Sequence, residues 1–327
     1  MFENSFTSEK KIKIFFYGFI FLISLYLLRK GAVFAPDSGS YLAMSSFRSL
    51  GYPLFLKAYG YFFQDAYGVL VAVQVGTGVL AVDYFLRTLN KHFSFSSFVY
   101  MMLFLFLFAP YFVLHHIGNY ILTEALCYPF FLIMLSFLVK FLKGNETKFL
   151  LTSVVFGLLL TLTRSQFIFL WPGFLILITY MFYKNRSILS FFGRTLILAA
   201  IILSGQMIER TYSYILTSSF KTVPFVGYQA IVLPLYLSKE RDVTLFESPQ
   251  EKAFFKAAYE GLQEKKAHIN SANDINPLFH YSGFYNIICH RISGKAALQH
   301  LDPNPYIRDG QLASVSLTLI KNNFFLT

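Results

Sequence analysis

The chain has 327 residues, of which 55 % are hydrophobic and only 14 % are charged. A soluble domain of this length cannot bury so much apolar surface, so the composition excludes an ordinary soluble protein and places apolar side chains against lipid. The formal charge of +11 does not indicate nucleic-acid binding, because the basic residues lie in short loops and a mixed tail and form no clustered face.

Seven apolar runs follow one another along the first two thirds of the chain. Each is about as long as a helix must be to cross the hydrocarbon core of a bilayer. We therefore predict an all-α polytopic membrane protein with about seven transmembrane helices. They cover approximately 13–28, 67–86, 96–114, 120–139, 149–163, 166–183 and 195–209. The fifth is short, and only Arg164 and Ser165 separate it from the sixth, so we expect a tight hairpin there.

The positions of the lysines and arginines predict the orientation of these helices. With the N-terminus in the cytoplasm, the inner segments hold eleven basic residues between Lys10 and Arg194, and the outer segments up to the seventh helix hold five. The asymmetry favours that orientation. The loop 31–66 and everything after Glu209 are then extracytoplasmic, and we expect an integral protein of a bacterial inner membrane.

The segment PDSGSYLAMSSFRSLGYP, from Pro36 to Pro53, lies just outside the first predicted helix. Asp37 or Ser38 could cap a short helix running to about Leu50, because both side chains accept hydrogen bonds from free N–H groups. Alternatively, the Asp37 carboxylate acts as a base toward a substrate hydroxyl, and the two roles are compatible. We expect polar side chains around it to position the substrate: Ser38, Tyr41, Arg48 and Tyr52.

The residues that follow form an amphipathic stretch, LFLKAYGYFF. A turn at Gly51-Tyr52-Pro53 is expected to end the short helix before it. Such a stretch is suited to lying in the membrane interface, where it would guide a lipid-linked substrate toward Asp37.

Ionisable residues next to apolar helices are costly and therefore informative. Glu124 lies near the start of the fourth predicted helix, where the helix dipole stabilises a negative charge, and it is also the best partner for Asp37. Arg164 lies at the same face, where a guanidinium binds a phosphate through paired hydrogen bonds or forms an ion pair with Glu124. Asp83 and Arg87, spaced i,i+4 in the second helix, are more simply an ion pair.

His115 and His116 stand side by side at the outer end of the third predicted helix. Adjacent side chains on a helix diverge, so the two make a poor chelating pair. They are interfacial histidines or groups that bind a phosphate or a sugar. The sequence contains no CxxC or HExxH zinc pattern, and we predict no metal site.

The composition changes after about residue 210. Charged residues become frequent, a helix is predicted from Pro249 to Lys266, and turn signals occur at Asn276-Pro277 and at 302–305. We therefore predict a transmembrane domain, 1–209, and a small extracytoplasmic soluble domain, 210–327, that mixes helices with short extended pieces.

The order of these features resembles the GT-C glycosyltransferases. The resemblance rests on the outer PDSxxYL segment with its R-x-x-GYPLFL continuation, on Glu124 at the head of the fourth helix and on Arg164 after the fifth. Within that fold the chain is similar to glycosyltransferase family 39, which includes protein O-mannosyltransferases and lipid A aminoarabinose transferases. The resemblance covers about residues 10–210, and no single motif in it is diagnostic.

The resemblance implies a GT-C-like helical bundle that moves a sugar from a polyprenyl-phosphate donor to a glycan, lipid or protein acceptor of the cell envelope, on the extracytoplasmic side. By this resemblance Asp37 is the catalytic base and Glu124 a second catalytic acid that helps to position a substrate. Arg164 would bind the donor phosphate, helped by His115 or His116.

Two departures from the family pattern matter. Ser38 follows Asp37 where the mannosyltransferases have an Asp-Glu pair, which disfavours the protein-mannosylating branch. The family also has more helices after the seventh, so we expect a C-terminally truncated form. Transfer should invert the anomeric carbon, because no second carboxylate is placed as a covalent nucleophile. No cofactor is required by these residues, although some members of the wider fold use a divalent metal ion.

Two rival functions stay open at the level of sequence. A transporter or flippase for lipid-linked sugars would also need apolar helices with few buried charges, but it should show internal repeats and broken helices around a midplane site. A non-catalytic assembly protein would not depend on Asp37.

Overall fold

The computed structural model describes residues 2–64, 66–114, 116–272 and 276–324. The chain divides into two units, Met1–Thr217 and Ser218–Thr327. Helices dominate both units, and no β-strand occurs in the described ranges. The protein is therefore an all-α protein.

Nine α-helices succeed one another in the described part of the first unit. They are α1 (Phe2–Lys30), α2 (Ser38–Leu42), α3 (Gly51–Phe63), α4 (Tyr67–Phe93), α5 (Ser97–Ala109), α6 (Glu124–Gly144), α7 (Thr147–Thr163), α8 (Leu170–Asn185) and α9 (Ile188–Thr217). A π-helical turn, Pro110–Leu114, extends α5, and a 3-10 turn, Ser165–Phe169, precedes α8.

A helix forms at each of the seven predicted apolar runs. Among the described residues, four helical segments are long and apolar enough to cross a membrane: Tyr67–Phe93, Glu124–Gly144, Ser165–Asn185 and Ile188–Thr217. The segments Ser97–Val113 and Thr147–Thr163 are apolar but shorter. The protein is thus an all-α membrane protein, and the total of seven crossings stays a prediction.

Several predicted boundaries were wrong by about one to three turns. α4 continues through Arg87 and Lys91 to Phe93, and α9 extends at both ends to cover Ile188–Thr217. Apolar runs mark only the part of a helix that lies in hydrocarbon, whereas the helix itself continues into the polar interface. α6 starts later than predicted, at Glu124, because residues 119–121 pair with an extended segment near residue 33.

The helix predicted from Asp37 to Leu50 was also wrong. α2 ends at Leu42, and Met44 adopts a φ of 49°, in the left-handed region that stops a right-handed helix. Gly51-Tyr52-Pro53, predicted as a turn, begins α3 instead. Proline is tolerated there, because the first N–H groups of a helix have no partner within it.

The core of the first unit is built from large side chains between neighbouring helices. α6 packs along both α4 and α7, and α9 packs against α7 and α8. One cluster includes the buried Leu86, Phe108 and Leu132, and another includes Phe141 and Trp171. Within a membrane such clusters stabilise the bundle by van der Waals packing rather than by burial from water, and they hold the helix ends in defined positions.

The second unit is helical where it is described. Its α-helices are α10 (Val226–Ala230), α11 (Val232–Leu237), α12 (Pro249–Glu264), α13 (Pro277–Asn286), α14 (Gly294–His300) and α15 (Pro305–Phe324). α12 confirms the helix predicted from Pro249. The short extended pieces predicted here are absent from 218–272 and 276–324.

The Asn-Pro sequences that were predicted as turns in this unit begin helices instead. The side chains of Asn276 and Asn304 accept hydrogen bonds from the backbone N–H groups of Leu278 and Tyr306, both at 2.9 Å. The proline that follows each asparagine occupies the first helical position, which needs no N–H donor. Asn-Pro pairs therefore act here as helix N-termini rather than as breaks between extended segments.

Candidate functional site

An extended pairing in the first unit brings two loops together at one end of its helices. Val33 donates to the Asn119 carbonyl at 2.8 Å, and Ile121 donates to the Val33 carbonyl at 3.1 Å. The buried side chain of Asn119 donates to the carbonyls of Leu27 and Gly31, both at 2.7 Å. The end of α1 is thus tied to the loop that leads into α6.

Ser38 continues this connection toward Asp37. Its hydroxyl donates to the Ile121 carbonyl at 2.9 Å and accepts from the Ala35 N–H at 2.8 Å. The residue is 1 % exposed. The hydroxyl thus fixes the backbone beside Asp37, and the role of Ser38 in substrate positioning stays a prediction.

The Asp37 carboxylate is held by Arg48 and faces solvent. Arg48 Nη2 lies 2.7 Å from Asp37 Oδ1, and the aspartate side chain is 58 % exposed. Asp37 is the residue before α2, but its side chain makes no capping hydrogen bond. An exposed ion pair stabilises a fold by about 0–1 kcal/mol. Neither helix capping nor a contribution to fold stability therefore explains the presence of a carboxylate at position 37.

The remaining donors of Arg48 fix its own direction. Its Nε donates to Ser40 Oγ at 2.8 Å, and Nη1 donates to the Tyr41 hydroxyl at 3.3 Å. The guanidinium carbon lies 4.5 Å from the centroid of the Tyr41 ring, within range of a cation–π contact. The predicted positioning residues Arg48 and Tyr41 thus do lie beside Asp37.

Tyr41 and Tyr52 form a buried layer beneath this pair. Their rings pack edge to face with centroids 5.3 Å apart. The Tyr52 hydroxyl donates to Gln74 Oε1 at 3.0 Å, and Gln74 Nε2 donates to the Gly118 carbonyl at 2.8 Å. Tyr52 therefore supports Tyr41 from below and joins α3 to α4.

Burial raises the pKa of the Tyr41 hydroxyl, against the lowering effects of Arg48 and of a hydrogen bond with Thr123. The negative charges of Asp37 and Glu124 raise this pKa further. Tyr41 therefore stays protonated at neutral pH and cannot serve as the base. Burial likewise raises the pKa of Tyr52.

Glu124 and Arg164 form the second ion pair of the site. Arg164 Nη1 donates to Glu124 Oε1, and Arg164 Nε donates to Gln166 Oε1 at 2.8 Å. Thr123 Oγ1 donates to Glu124 Oε2 at 3.2 Å. The Glu124 and Arg164 side chains are 41 % and 38 % exposed. The expected ion pair between these residues is confirmed, and both stay accessible from solvent.

Gly51 explains how α3 reaches the end of α7. A Cβ atom on Gly51 would lie 2.8 Å from the backbone nitrogen and the hydroxyl oxygen of Thr163. Only a glycine allows this approach. The start of α3 is therefore fixed next to Arg164, the residue that follows Thr163.

The structure describes only one of the two predicted histidines. His116 follows the π-helical turn with a φ of 48°, and its buried Nδ1 has no hydrogen-bond partner among the described residues. No hydrogen bond or ion pair of the described residues joins His116 to Arg164. His115 lies outside the described residues, so its predicted role stays a prediction.

Residues that the sequence interpretation missed complete the site. Ser40, Thr123 and Gln166 hold the charged groups, and Gln74 joins two helices and a loop beneath them. The role of Gln74 could have been predicted from the sequence, since an amide inside an otherwise apolar helix needs hydrogen-bond partners. Within the described ranges, no group of three or more His, Cys, Asp or Glu side chains is arranged to hold a metal ion.

The fold and the site define an all-α membrane protein with two accessible carboxylate–guanidinium pairs at one end of its helices. Comparison of the chain with protein-family models, with curated proteins and with solved structures gives no match.

Proposed function

We propose that this chain is a membrane glycosyltransferase that moves a sugar from a polyprenyl-phosphate donor to an acceptor hydroxyl. The observation that carries the proposal is that two accessible ion pairs, Asp37–Arg48 and Glu124–Arg164, lie at the end of the helices where residues near 33 and near 120 pair. One carboxylate to take a proton and one guanidinium to bind a phosphate are the groups that this reaction needs.

Asp37 acts as the base in this proposal. Arg48 occupies Oδ1, and Oδ2 has no partner among the described residues, so the second oxygen can accept the proton of an acceptor hydroxyl. The acceptor oxygen forms a bond to the anomeric carbon while the bond from that carbon to the phosphate oxygen breaks. One displacement of this kind inverts the anomeric configuration.

Arg164 binds the leaving phosphate in this proposal. A guanidinium has five N–H donors, and in this site Nη1 contacts Glu124 and Nε contacts Gln166, which leaves Nη2 for a phosphate oxygen. Glu124 fixes the direction of the guanidinium. Positive charge at this place stabilises the phosphate as negative charge develops on its bridging oxygen.

The exposed side of α3 supports a donor that is anchored in lipid. Leu54, Tyr61, Phe62 and Phe63 are exposed, while Tyr52, Leu56 and Tyr59 on the same helix are buried. An amphipathic helix of this kind lies in the membrane interface. A prenyl chain in that interface would bring its phosphate to the level of Arg164.

The proposal includes a location and an orientation. The protein spans a bacterial inner membrane seven times, with its N-terminus in the cytoplasm and with Asp37 and the residues after Glu209 outside. The acceptor is a glycan, a lipid or a protein of the cell envelope.

The test uses membranes that contain the chain and their endogenous acceptors. A panel of polyprenyl-phosphate hexoses and pentoses is added as donors. Consumption of one donor above that of membranes without the chain supports the proposal and identifies the sugar. The anomeric configuration of the product should be opposite to that of the donor. Movement of the donor across the membrane without its consumption would favour a flippase instead, and neither transfer nor movement would favour an assembly protein.

A further inference from the structure

A small cavity of about 30 Å³ lies at the far end of α6 from Glu124. α6 has 21 residues, so the two ends are about 30 Å apart. Residues of the α6–α7 connection, of α8 and of the start of α9 line the cavity, among them Asn145, Asn185, Ser187, Ser190 and Arg194. Asn185 and Ser190 are exposed and form its mouth.

Arg194 is the charged group of this cavity, and it is buried. Only 8 % of the residue is exposed. Its Nη2 donates to the Asn145 carbonyl at 3.0 Å and to Thr147 Oγ1 at 3.4 Å, and Nε donates to Thr147 Oγ1 at 3.4 Å. Nη1 has no hydrogen-bond partner among the described residues.

The described residues provide no carboxylate to neutralise Arg194. Glu146, which follows the cavity residue Asn145 in the chain, pairs with Lys148. Arg186 and Lys184 at the end of α8 add positive charge, and the Arg186 guanidinium lies over the Tyr183 ring. A buried guanidinium is costly unless a negative group or enough hydrogen bonds compensate it. The carbonyl end of α6 and the Phe141 ring, whose centroid lies 5.0 Å from the guanidinium carbon, compensate the charge only in part.

Asn145 adds a second uncompensated group. Its side-chain oxygen is buried and has no hydrogen-bond partner among the described residues. Such groups are rare in native proteins, so the Asn145 side chain is available to a further polar group. A half-turn of the amide would present its NH₂ group in place of the oxygen.

We propose that this cavity binds a phosphate group, supplied by the headgroup of an anionic lipid or by free phosphate. Arg194 Nη1 and the Asn145 amide donate to the phosphate oxygens, and the hydroxyls of Ser187 and Ser190 lie at the mouth. The cavity, of about 30 Å³, holds roughly two waters, so a phosphate sits at its open side with its oxygens in the place of those waters. Basic pockets beside membrane helices bind anionic headgroups in this way.

The experiment measures thermal unfolding of the purified full chain in a neutral detergent during three titrations. The ligands are dioctanoyl phosphatidylglycerol, dioctanoylglycerol, which has the same acyl chains without phosphate, and inorganic phosphate. A ligand that binds only the folded state raises Tm in a saturable manner. We expect phosphatidylglycerol to raise Tm and dioctanoylglycerol not to. A matching rise with inorganic phosphate would identify free phosphate as the source, and its absence would identify the lipid.

Variants assign the effect to the cavity. Arg194→Gln keeps a donor for the Asn145 carbonyl but removes the charge, and should weaken apparent phosphate affinity at least about tenfold. Arg186→Gln, the matched control, removes a charge near the cavity and should change the affinity less than about threefold. Ser190→Asp places a negative charge at the mouth and leaves the contacts of Arg194 with Asn145 and Thr147 in place. It should abolish binding, and it tests the proposal even if Arg194→Gln fails to fold.

Two results would overturn the proposal. One is the absence of any phosphate-dependent rise in the wild-type chain. The other is a rise that persists at wild-type affinity in Arg194→Gln or in Ser190→Asp, because the anion would then bind elsewhere.

Discussion

Arg48 Nη2 lies 2.7 Å from Asp37 Oδ1 while more than half of the aspartate side chain stays exposed. The arrangement fixes the direction of a carboxylate without removing it from solvent. Exposed ion pairs add little to fold stability, so the main structural effect of this pair is to fix the position of the Asp37 carboxylate.

The first prediction concerns Arg48. Arg48→Ala should lower turnover by about 10- to 100-fold, because a misplaced catalytic group loses most of the advantage of orientation. The melting temperature should fall only modestly, because the lost contacts of Arg48 with Ser40 and Tyr41 lie at a partly exposed site. Parallel assays of donor consumption and thermal unfolding measure both effects. As a control, Arg87→Ala removes an arginine from its ion pair with Asp83, 2.6 Å away, and should leave turnover intact. An equal loss of turnover in both variants would assign a structural role to Arg48.

The second prediction concerns Arg164. Arg164→Ala should raise the apparent KM for the donor about tenfold or more, and lower kcat less, because a charge-assisted hydrogen bond to the phosphate is lost. Initial rates over a range of donor concentrations separate the two parameters. Lys57→Ala, which removes an exposed charge on α3, serves as the control. An unchanged donor KM in Arg164→Ala would remove Arg164 from the phosphate role.

The third prediction concerns Glu124. Glu124→Gln keeps the shape of the side chain but loses the charge that orients Arg164, so turnover should fall while expression is kept. The loss of stability should not exceed about 1 kcal/mol, because the side chain is partly exposed at a helix N-terminus. Activity assays on membranes with equal amounts of protein make the comparison. Full activity would leave only stabilisation of α6 as the role of Glu124.

The fourth prediction concerns the contact between α3 and α7. Gly51→Ala should destabilise the protein by about 1–3 kcal/mol, because its Cβ would meet the backbone of Thr163. Gly60→Ala lies on the same helix with nothing within 4 Å of its Cβ, and should be neutral or stabilising by up to about 1 kcal/mol. Thermal unfolding in detergent measures both. A Gly51→Ala protein as stable as Gly60→Ala would show that α3 is free to shift.

The positions of the helices could be predicted because apolar runs of membrane length leave few alternatives. The Asp83–Arg87 pair was confirmed at 2.6 Å for a similar reason, since i,i+4 spacing on a helix fixes the distance. The pairing of Glu124 with Arg164 could be foreseen only as one alternative, because it depends on how α6 packs along α7.

The remaining details depend on loop geometry. The turn at Met44 and the start of α3 at Gly51 bring Arg48 back to Asp37, and no periodic pattern encodes such a turn. Burial of Ser38 depends on the pairing of residues near 33 and 120, which are far apart in sequence. The cavity around Arg194 was missed because a basic residue near a helix end was interpreted only as a topology signal.

The most direct test of the account compares Asp37→Asn with Asp83→Asn in the donor-consumption assay, at equal protein amounts in the membrane. Both variants remove one carboxylate that is paired with an arginine, but only Asp37 belongs to the proposed site. We expect turnover to fall at least about 100-fold in Asp37→Asn, as loss of a general base does, and to stay near the wild-type rate in Asp83→Asn. Wild-type turnover in Asp37→Asn would contradict the account, because the base would then have to be another group.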